Sequence, residues 1–143
     1  MAIAKVLLVD YETPFVETMT KRLNKRDLDI IPAFSGNEAL KRLKEDDKIE
    51  VVILDVKMPG MDGIEALQEI RKRYPLVEVI MLTGHATVES AIDGMKWGAF
   101  DYLMKPCDID KLISKVSEAA AKKIHHENKI IEALMKIITG TMV

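Results

Sequence analysis

Four polar residues stand where short apolar runs end. Asp10 follows Val6-Leu7-Leu8-Val9, and Asp55 follows Val51-Val52-Ile53-Leu54. Thr83 follows the run at residues 77–82. Lys105 closes the run at residues 100–104 and precedes Pro106. One Asp or Thr in such a place needs no explanation beyond ending a strand. Four in the same relation to successive runs point to a site if the runs are neighbouring strands. In an open parallel α/β sheet the carboxyl ends of the strands share one edge, and ligands bind there. Two carboxylates roughly 5 Å apart repel by about 3 kcal/mol at an effective dielectric of about 20, so they call for a cation between them. Hard oxygen donors with one or two carboxylates suit Mg²⁺, which keeps waters and takes phosphate oxygens as further ligands. Aspartate is a competent nucleophile toward phosphoryl groups, a metal neutralises charge in their loose transition state, and a lysine pairs with the product as a point charge.

The elements that must position these residues are legible as periodicities. Apolar runs recur at residues 6–9, 28–34, 51–54, 77–82 and 100–104. The first and third are continuous and rich in branched residues, as for strands buried on both faces. Between them lie stripes with helical spacing: Val16, Met19 and Leu23; Ala39, Leu40 and Leu43; Ile64, Leu67 and Ile70; Val88, Ala91, Ile92 and Met95; and Leu112, Ile113, Val116 and Ala119. Helix starts are predicted at Thr13 with Pro14 behind it, at Ser35 with Glu38 in capping-box spacing, and at the Asp62 and Asp108 caps. Five alternating βα units predict a parallel sheet covered by helices on both faces.

Composition narrows the class. A chain of 143 residues, 48% hydrophobic and 31% charged, has the size and apolar content of one globular domain. A net charge of −2 gives no electrostatic reason to bind nucleic acid. No apolar run is long enough to span a bilayer, the N-terminus lacks a secretory pattern, and the single Cys107 excludes an internal disulfide. The expected setting is the cytoplasm, with no membrane partner.

Three segments in order resemble the response-regulator receiver family: Leu54-Asp55-Val56-Lys57-Met58-Pro59-Gly60-Met61-Asp62-Gly63, then Met81-Leu82-Thr83-Gly84-His85-Ala86, then Gly98-Ala99-Phe100-Asp101-Tyr102-Leu103-Met104-Lys105-Pro106. The resemblance covers about residues 4–122. It implies a flavodoxin-like, doubly wound α/β fold with five helices and strand order 2-1-3-4-5. It also implies the site: Asp55 is the phosphoacceptor, Lys105 contacts the phosphoryl group, and Thr83 and Tyr102 are the switch hydroxyl and aromatic. Asp10, Asp55 and the Lys57 backbone carbonyl belong to an Mg²⁺ site. The expected donor is a sensor histidine kinase or phosphotransfer protein. The expected output is conformational, on the surface of the fourth helix, fifth strand and fifth helix. Such a receiver catalyses only its own phosphorylation and dephosphorylation. One position departs from the family. Where two adjacent acids are usual, this chain reads Asp10-Tyr11, followed by Glu12, so weak Mg²⁺ binding is expected.

Two rival classes stay open at this level. A phosphorylation-independent interaction module would keep the fold without the metal, with Tyr11 as its support. An aspartate-nucleophile phosphatase would use Asp10. The tail extends past the residues the fold needs: Ile124, Ile131, Leu134 and Ile138 continue an apolar stripe to Gly140. This divides the chain into a receiver unit, 1–122, and a helical extension, 123–143, that implies a homodimer or a linker to an output domain.

Overall fold

Residues 2–140 are described by the computed structural model, and among them strands and helices alternate strictly. The order is β1 (Ala4–Val9), α1 (Thr13–Asn24), β2 (Leu28–Ala33), α2 (Gly36–Glu45), β3 (Val51–Leu54), α3 (Gly63–Arg73), β4 (Glu78–Thr83), α4 (Val88–Lys96), β5 (Asp101–Met104) and α5 (Ile109–Thr139). All neighbouring strands pair in parallel, and the sheet order is β2-β1-β3-β4-β5, as the resemblance implies. Side chains alternate across a strand, so each central strand feeds two cores. Val6, Leu8 and Ile53 pack with Val16 and Leu23 of α1 and with Leu112 and Val116 of α5. Leu7, Val9, Val52 and Leu54 pack on the opposite face with Ala39 and Leu43 of α2 and with Leu67 and Ile70 of α3. Each fully buried Leu or Ile side chain stabilises the fold by roughly 1.5–3 kcal/mol.

Three of the expected caps form. Ser35 Oγ accepts from the Glu38 N–H, Asp62 from the Glu65 N–H, and Asp108 from the Asp110 N–H. The Glu38 carboxylate reaches back to the Phe34 N–H, one residue beyond the N-cap N–H of a reciprocal box. Thr13 is not a cap. The N-cap of α1 is Glu12, without a side-chain bond, because the chain enters the helix one residue earlier.

The α4 stripe does not face the core. Val88, Ile92 and Met95 face solvent, Val88 at 79% exposure, and Gly94 is the buried residue of this helix. Periodicity reports an apolar face but not what covers it, and α4 rests on the sheet through its small residues. Helix α5 is 31 residues long. Its last buried residue is Lys123, whose ammonium pairs with Glu127 at 3.0 Å. Beyond it Ile124, Ile131, Leu134 and Ile138 are all exposed. Gly140, at φ 69°, caps the helix in the left-handed conformation that glycine accepts most readily. Met1 and residues 141–143, the outer ends of the two units read from sequence, lie outside the described residues.

Candidate functional site

Register brings the carboxyl ends of the four strands to one edge. Val9 lies opposite Leu54, Leu54 opposite Met81, and Thr83 opposite Met104. Backbone bonds then fix the residues that follow. The Asp10 N–H donates to Ala33 O at 3.1 Å, the Asp55 N–H to Val9 O at 3.0 Å, and the Lys105 N–H to Thr83 O at 2.9 Å. Asp10, Asp55 and Thr83 are all buried at this edge.

The first turn after β1 decides which side chains enter the site. Asp10 Oδ1 accepts the Glu12 N–H at 2.9 Å, an Asx-type turn that carries the chain into α1. One carboxylate oxygen each from Asp10, Glu12 and Asp55 then lies within 4.8 Å of the others. Tyr11, between them in sequence, is 42% exposed.

Lys105 bridges two of these carboxylates. Its Nζ lies 2.6 Å from Asp10 Oδ2 and 3.4 Å from Glu12 Oε1, and 3.9 Å from the centroid of the Phe15 ring. Burial acts to lower the ammonium's pKa, but the hydrogen bond and charge of Asp10, with Asp55 and Glu12 behind it, outweigh burial and raise it above its ordinary value.

Asp55 has no such partner. It is 1% exposed, and neither carboxylate oxygen makes a hydrogen bond. Burial raises its pKa and the charge of Asp10 adds to the rise, while the Thr83 hydroxyl, the Lys105 ammonium and the Val56 N–H oppose it. A buried carboxylate left without partners is costly, and such groups mark places where something else is meant to bind. The donor set fits a hard divalent cation such as Mg²⁺: three carboxylates, one of them unsatisfied, at an edge open to solvent through Glu12.

The loop after β3 is held against Asp55 by glycine. A Cβ on Gly63 would sit 2.0 Å from the Asp55 carbonyl oxygen and 2.6 Å from Val56 Cα, so no side chain fits there without moving backbone. The Gly63 N–H donates to Val56 O at 2.6 Å, closing the loop that contains Lys57. A cleft of about 450 Å³ lies between this loop and the one after β4, lined in part by Val56, Lys57, His85 and Ser90.

Thr83 Oγ1 accepts the His85 N–H at 3.0 Å. Tyr102, two positions before Met104 on β5, is partly buried, and its hydroxyl meets Ser90 Oγ of α4 at 2.6 Å. The structure therefore gathers Asp10, Asp55, Thr83 and Lys105 at one edge, adds Glu12, leaves Tyr11 outside, and sets Tyr102 against α4. Phe15 and Ser90 were not anticipated. The signal for Phe15 was its place one turn into α1 from the acids. For Ser90 it was the Thr87-x-x-Ser90 spacing of a capping box, which forms here.

Comparison with known proteins agrees with this geometry. The family model described as the response regulator receiver domain matches residues 6–117. A putative response regulator NtrX-like protein of Rickettsia bellii is 37% identical over 99% of this chain, which spans 30% of that protein's length. The crystal structure of a response regulator receiver domain protein from Clostridium thermocellum superposes with a TM-score of 0.75 at 35% identity, covering 89% of this chain and 98% of that one. NtrX from Brucella abortus, crystallised with ADP, gives a TM-score of 0.80 at 28% identity, covering 98% of this chain and 30% of that one.

Proposed function

The chain belongs to the response regulator receiver domain family, and from that premise we propose that Asp55 is the residue through which it accepts a phosphoryl group. The observation that carries the assignment is the buried, unpartnered Asp55 carboxylate at an edge it shares with Thr83 and Lys105. In the proposed reaction an Asp55 carboxylate oxygen attacks the phosphorus of a phosphohistidine on a histidine kinase or phosphotransfer protein. The P–N bond breaks, its electron pair stays on the imidazole, and an acyl phosphate forms. Water later attacks the phosphorus and releases inorganic phosphate, restoring the carboxylate.

Each neighbouring residue has a role in this reading. Asp10, Glu12, Asp55 and the Lys57 carbonyl would hold Mg²⁺. When bound, that ion supplies positive charge against the charge developing on the transferring group. Lys105 leaves Asp10 and Glu12 to pair with the phosphoryl oxygens. Thr83 donates its hydroxyl to them, and Tyr102 follows, altering the surface of α4, β5 and α5. That surface already presents Val88, Ile92 and Met95 of α4 and Met104 of β5 to solvent. The chain is a signalling receiver whose only chemistry is on its own Asp55. Its proposed setting is the cytoplasm. Among the described residues no helix is long and apolar enough to cross a bilayer. Residues 1–122 form the receiver unit. Residues 123–143 are its extension, for a homodimer contact or as a linker to an output domain.

Incubation with acetyl phosphate and Mg²⁺, followed by intact-protein mass measurement, tests the assignment. The parent gains one phosphoryl group, and Asp55→Asn, nearly isosteric, gains none while keeping its fold. Phosphoryl incorporation by Asp55→Asn, or its mapping to Asp10, sinks the assignment.

A further inference from the structure

The hydroxyl of Ser90 belongs to two structures at once. Within α4 it is the third helical residue and completes the capping box with Thr87. The Ser90 N–H donates to Thr87 Oγ1 at 3.0 Å, and the Thr87 N–H donates to Ser90 Oγ at 3.1 Å. Ser90 Oγ also donates to Thr87 O at 3.1 Å. A serine hydroxyl has one proton and two acceptor positions. The proton and one acceptor position are thereby used inside the box. A single lone pair remains, within reach of the Tyr102 hydroxyl at 2.6 Å and the Thr87 hydroxyl at 3.0 Å. The shorter contact is to Tyr102, so the valences assign Tyr102 as the donor and Ser90 as its acceptor. Both hydroxyls are then satisfied without rearrangement.

Tyr102 touches α4 a second time, one turn further on. A Cβ on Gly94 would lie 3.3 Å from Tyr102 Cδ2, so the ring lies across the helix at Ser90 and Gly94, positions four apart on one face. Gly94 is the buried residue of α4, and Val88, Ile92 and Met95 point away from the core. The helix therefore has a thin seat on the sheet, and Tyr102 forms a large part of it. Thr87, the N-cap of α4, is joined to Thr83 by three residues, Gly84, His85 and Ala86, with the His85 N–H on the Thr83 hydroxyl. Displacement of Thr83 toward Asp55 is passed through that short link to the Thr87–Ser90 box.

We infer that Ser90 is a positioning residue of the switch: its hydroxyl latches Tyr102 onto the N-terminal turn of α4 in the unphosphorylated protein, and the latch must open for the surface to change. The inference rests on the proposed role of Tyr102 and names the group it acts through. A bond made in the resting state alone biases the equilibrium toward that state by about 2- to 10-fold.

The test uses the whole 143-residue chain. Amide and Tyr102 ring resonances are recorded at rest and after acetyl phosphate with Mg²⁺. The resting resonances of α4 and β5 in Ser90→Ala should move along the line toward the phosphorylated positions, by a 2- to 10-fold rise in the switched fraction. Tyr102→Phe should move them equally, the double variant no further than either single one, and Ser90→Thr should restore the parent positions. Thr87→Ala removes the other half of the capping box but leaves Tyr102 its acceptor, so it should not move Tyr102. A resting spectrum of Ser90→Ala that coincides with the parent overturns the inference. So does Thr87→Ala shifting Tyr102 as Ser90→Ala does, since loss of a cap would then be the whole effect. If the parent accepts no phosphoryl group, the functional proposal falls by itself. The latch is then decided by the resting Tyr102 ring resonances alone, which Ser90→Ala must move and Thr87→Ala must not.

Discussion

Tyr11 stands where receiver domains commonly carry a second acid, and a phenol brings no charge to a cation at neutral pH. Glu12 supplies a third carboxylate from one residue later, brought round by the turn in which Asp10 accepts its N–H. Two properties follow for Mg²⁺. The ion must compete with the Lys105 ammonium, which already sits 2.6 Å from Asp10 and is itself held charged there. It must also draw Glu12 from a more exposed position than a strand-end acid would occupy. Affinity should therefore be weak and depend on Glu12. Titration of Mg²⁺ followed by amide shifts of the loop at residues 55–63 should show Glu12→Gln binding about 10-fold more weakly, the loss of one charge-assisted contact. Tyr11→Asp should bind more tightly, and Tyr11→Phe as the parent does. Equal affinity for Glu12→Gln and parent would place Glu12 outside the site. Asp10, Asp55, Thr83 and Lys105 could be read from sequence because each is counted from the end of an apolar run. The part played by Glu12 could not, because it depends on a turn formed by a side chain rather than on strand periodicity.

Elements show the same divide between what periodicity carries and what it omits. The strands β1 and β3 were legible as unbroken apolar runs because a central parallel strand is buried on both faces. The caps at Ser35, Asp62 and Asp108 were legible because they act within three residues. The stripe on α4 was legible as a stripe but not as an exposed one, since Val88, Ile92 and Met95 repeat as a buried face would. The tail of α5 poses the question in its sharpest form. Residues 124–139 add about 24 Å of helix beyond Lys123 at 1.5 Å per residue. This segment continues a helix already nucleated against the core, but its apolar positions are about half exposed or more, Ile138 at 75%. Ile124, Ile131 and Ile138 fall seven apart as β-branched a positions, with Leu134 at one d position and Glu127 at the other, a partial match to the heptad that favours two parallel strands. The extension should thus pair with the same segment of a second chain. Sedimentation at micromolar concentration should give a dimer for the whole chain and a monomer for Leu134→Asp or after removal of residues 124–143. Monomeric mass for all three would remove the dimer and leave the stripe to whatever follows the helix in longer relatives, of which this chain spans about a third.

At the scale of the molecule the question is whether one phosphoryl group can move the whole surface. Turning a population from 1:99 to 99:1 takes about 5.5 kcal/mol, and one charge-assisted hydrogen bond contributes about 1.5–3 kcal/mol. Thr83 alone therefore falls short. Lys105 cannot close the gap at its full value either, because it exchanges Asp10 and Glu12 for the phosphoryl oxygens and only the difference counts. The remainder has to come from relief of the unpartnered Asp55 carboxylate and from the resettling of Tyr102 against α4. A switch built from several modest contributions should degrade by steps rather than fail outright. Thr83→Ala leaves Asp55, Asp10 and Lys105 in place, so it should still take up the phosphoryl group from acetyl phosphate. Its switched-to-resting ratio after phosphorylation should fall by about 10-fold or more, the equivalent of the missing bond. The measurement is the position of the α4 and β5 amide resonances between their resting and phosphorylated limits, at matched stoichiometry confirmed by intact mass. Parent-like displacement in phosphorylated Thr83→Ala would show that the hydroxyl does not transmit the signal, and would leave Lys105 as the route from Asp55 to the surface.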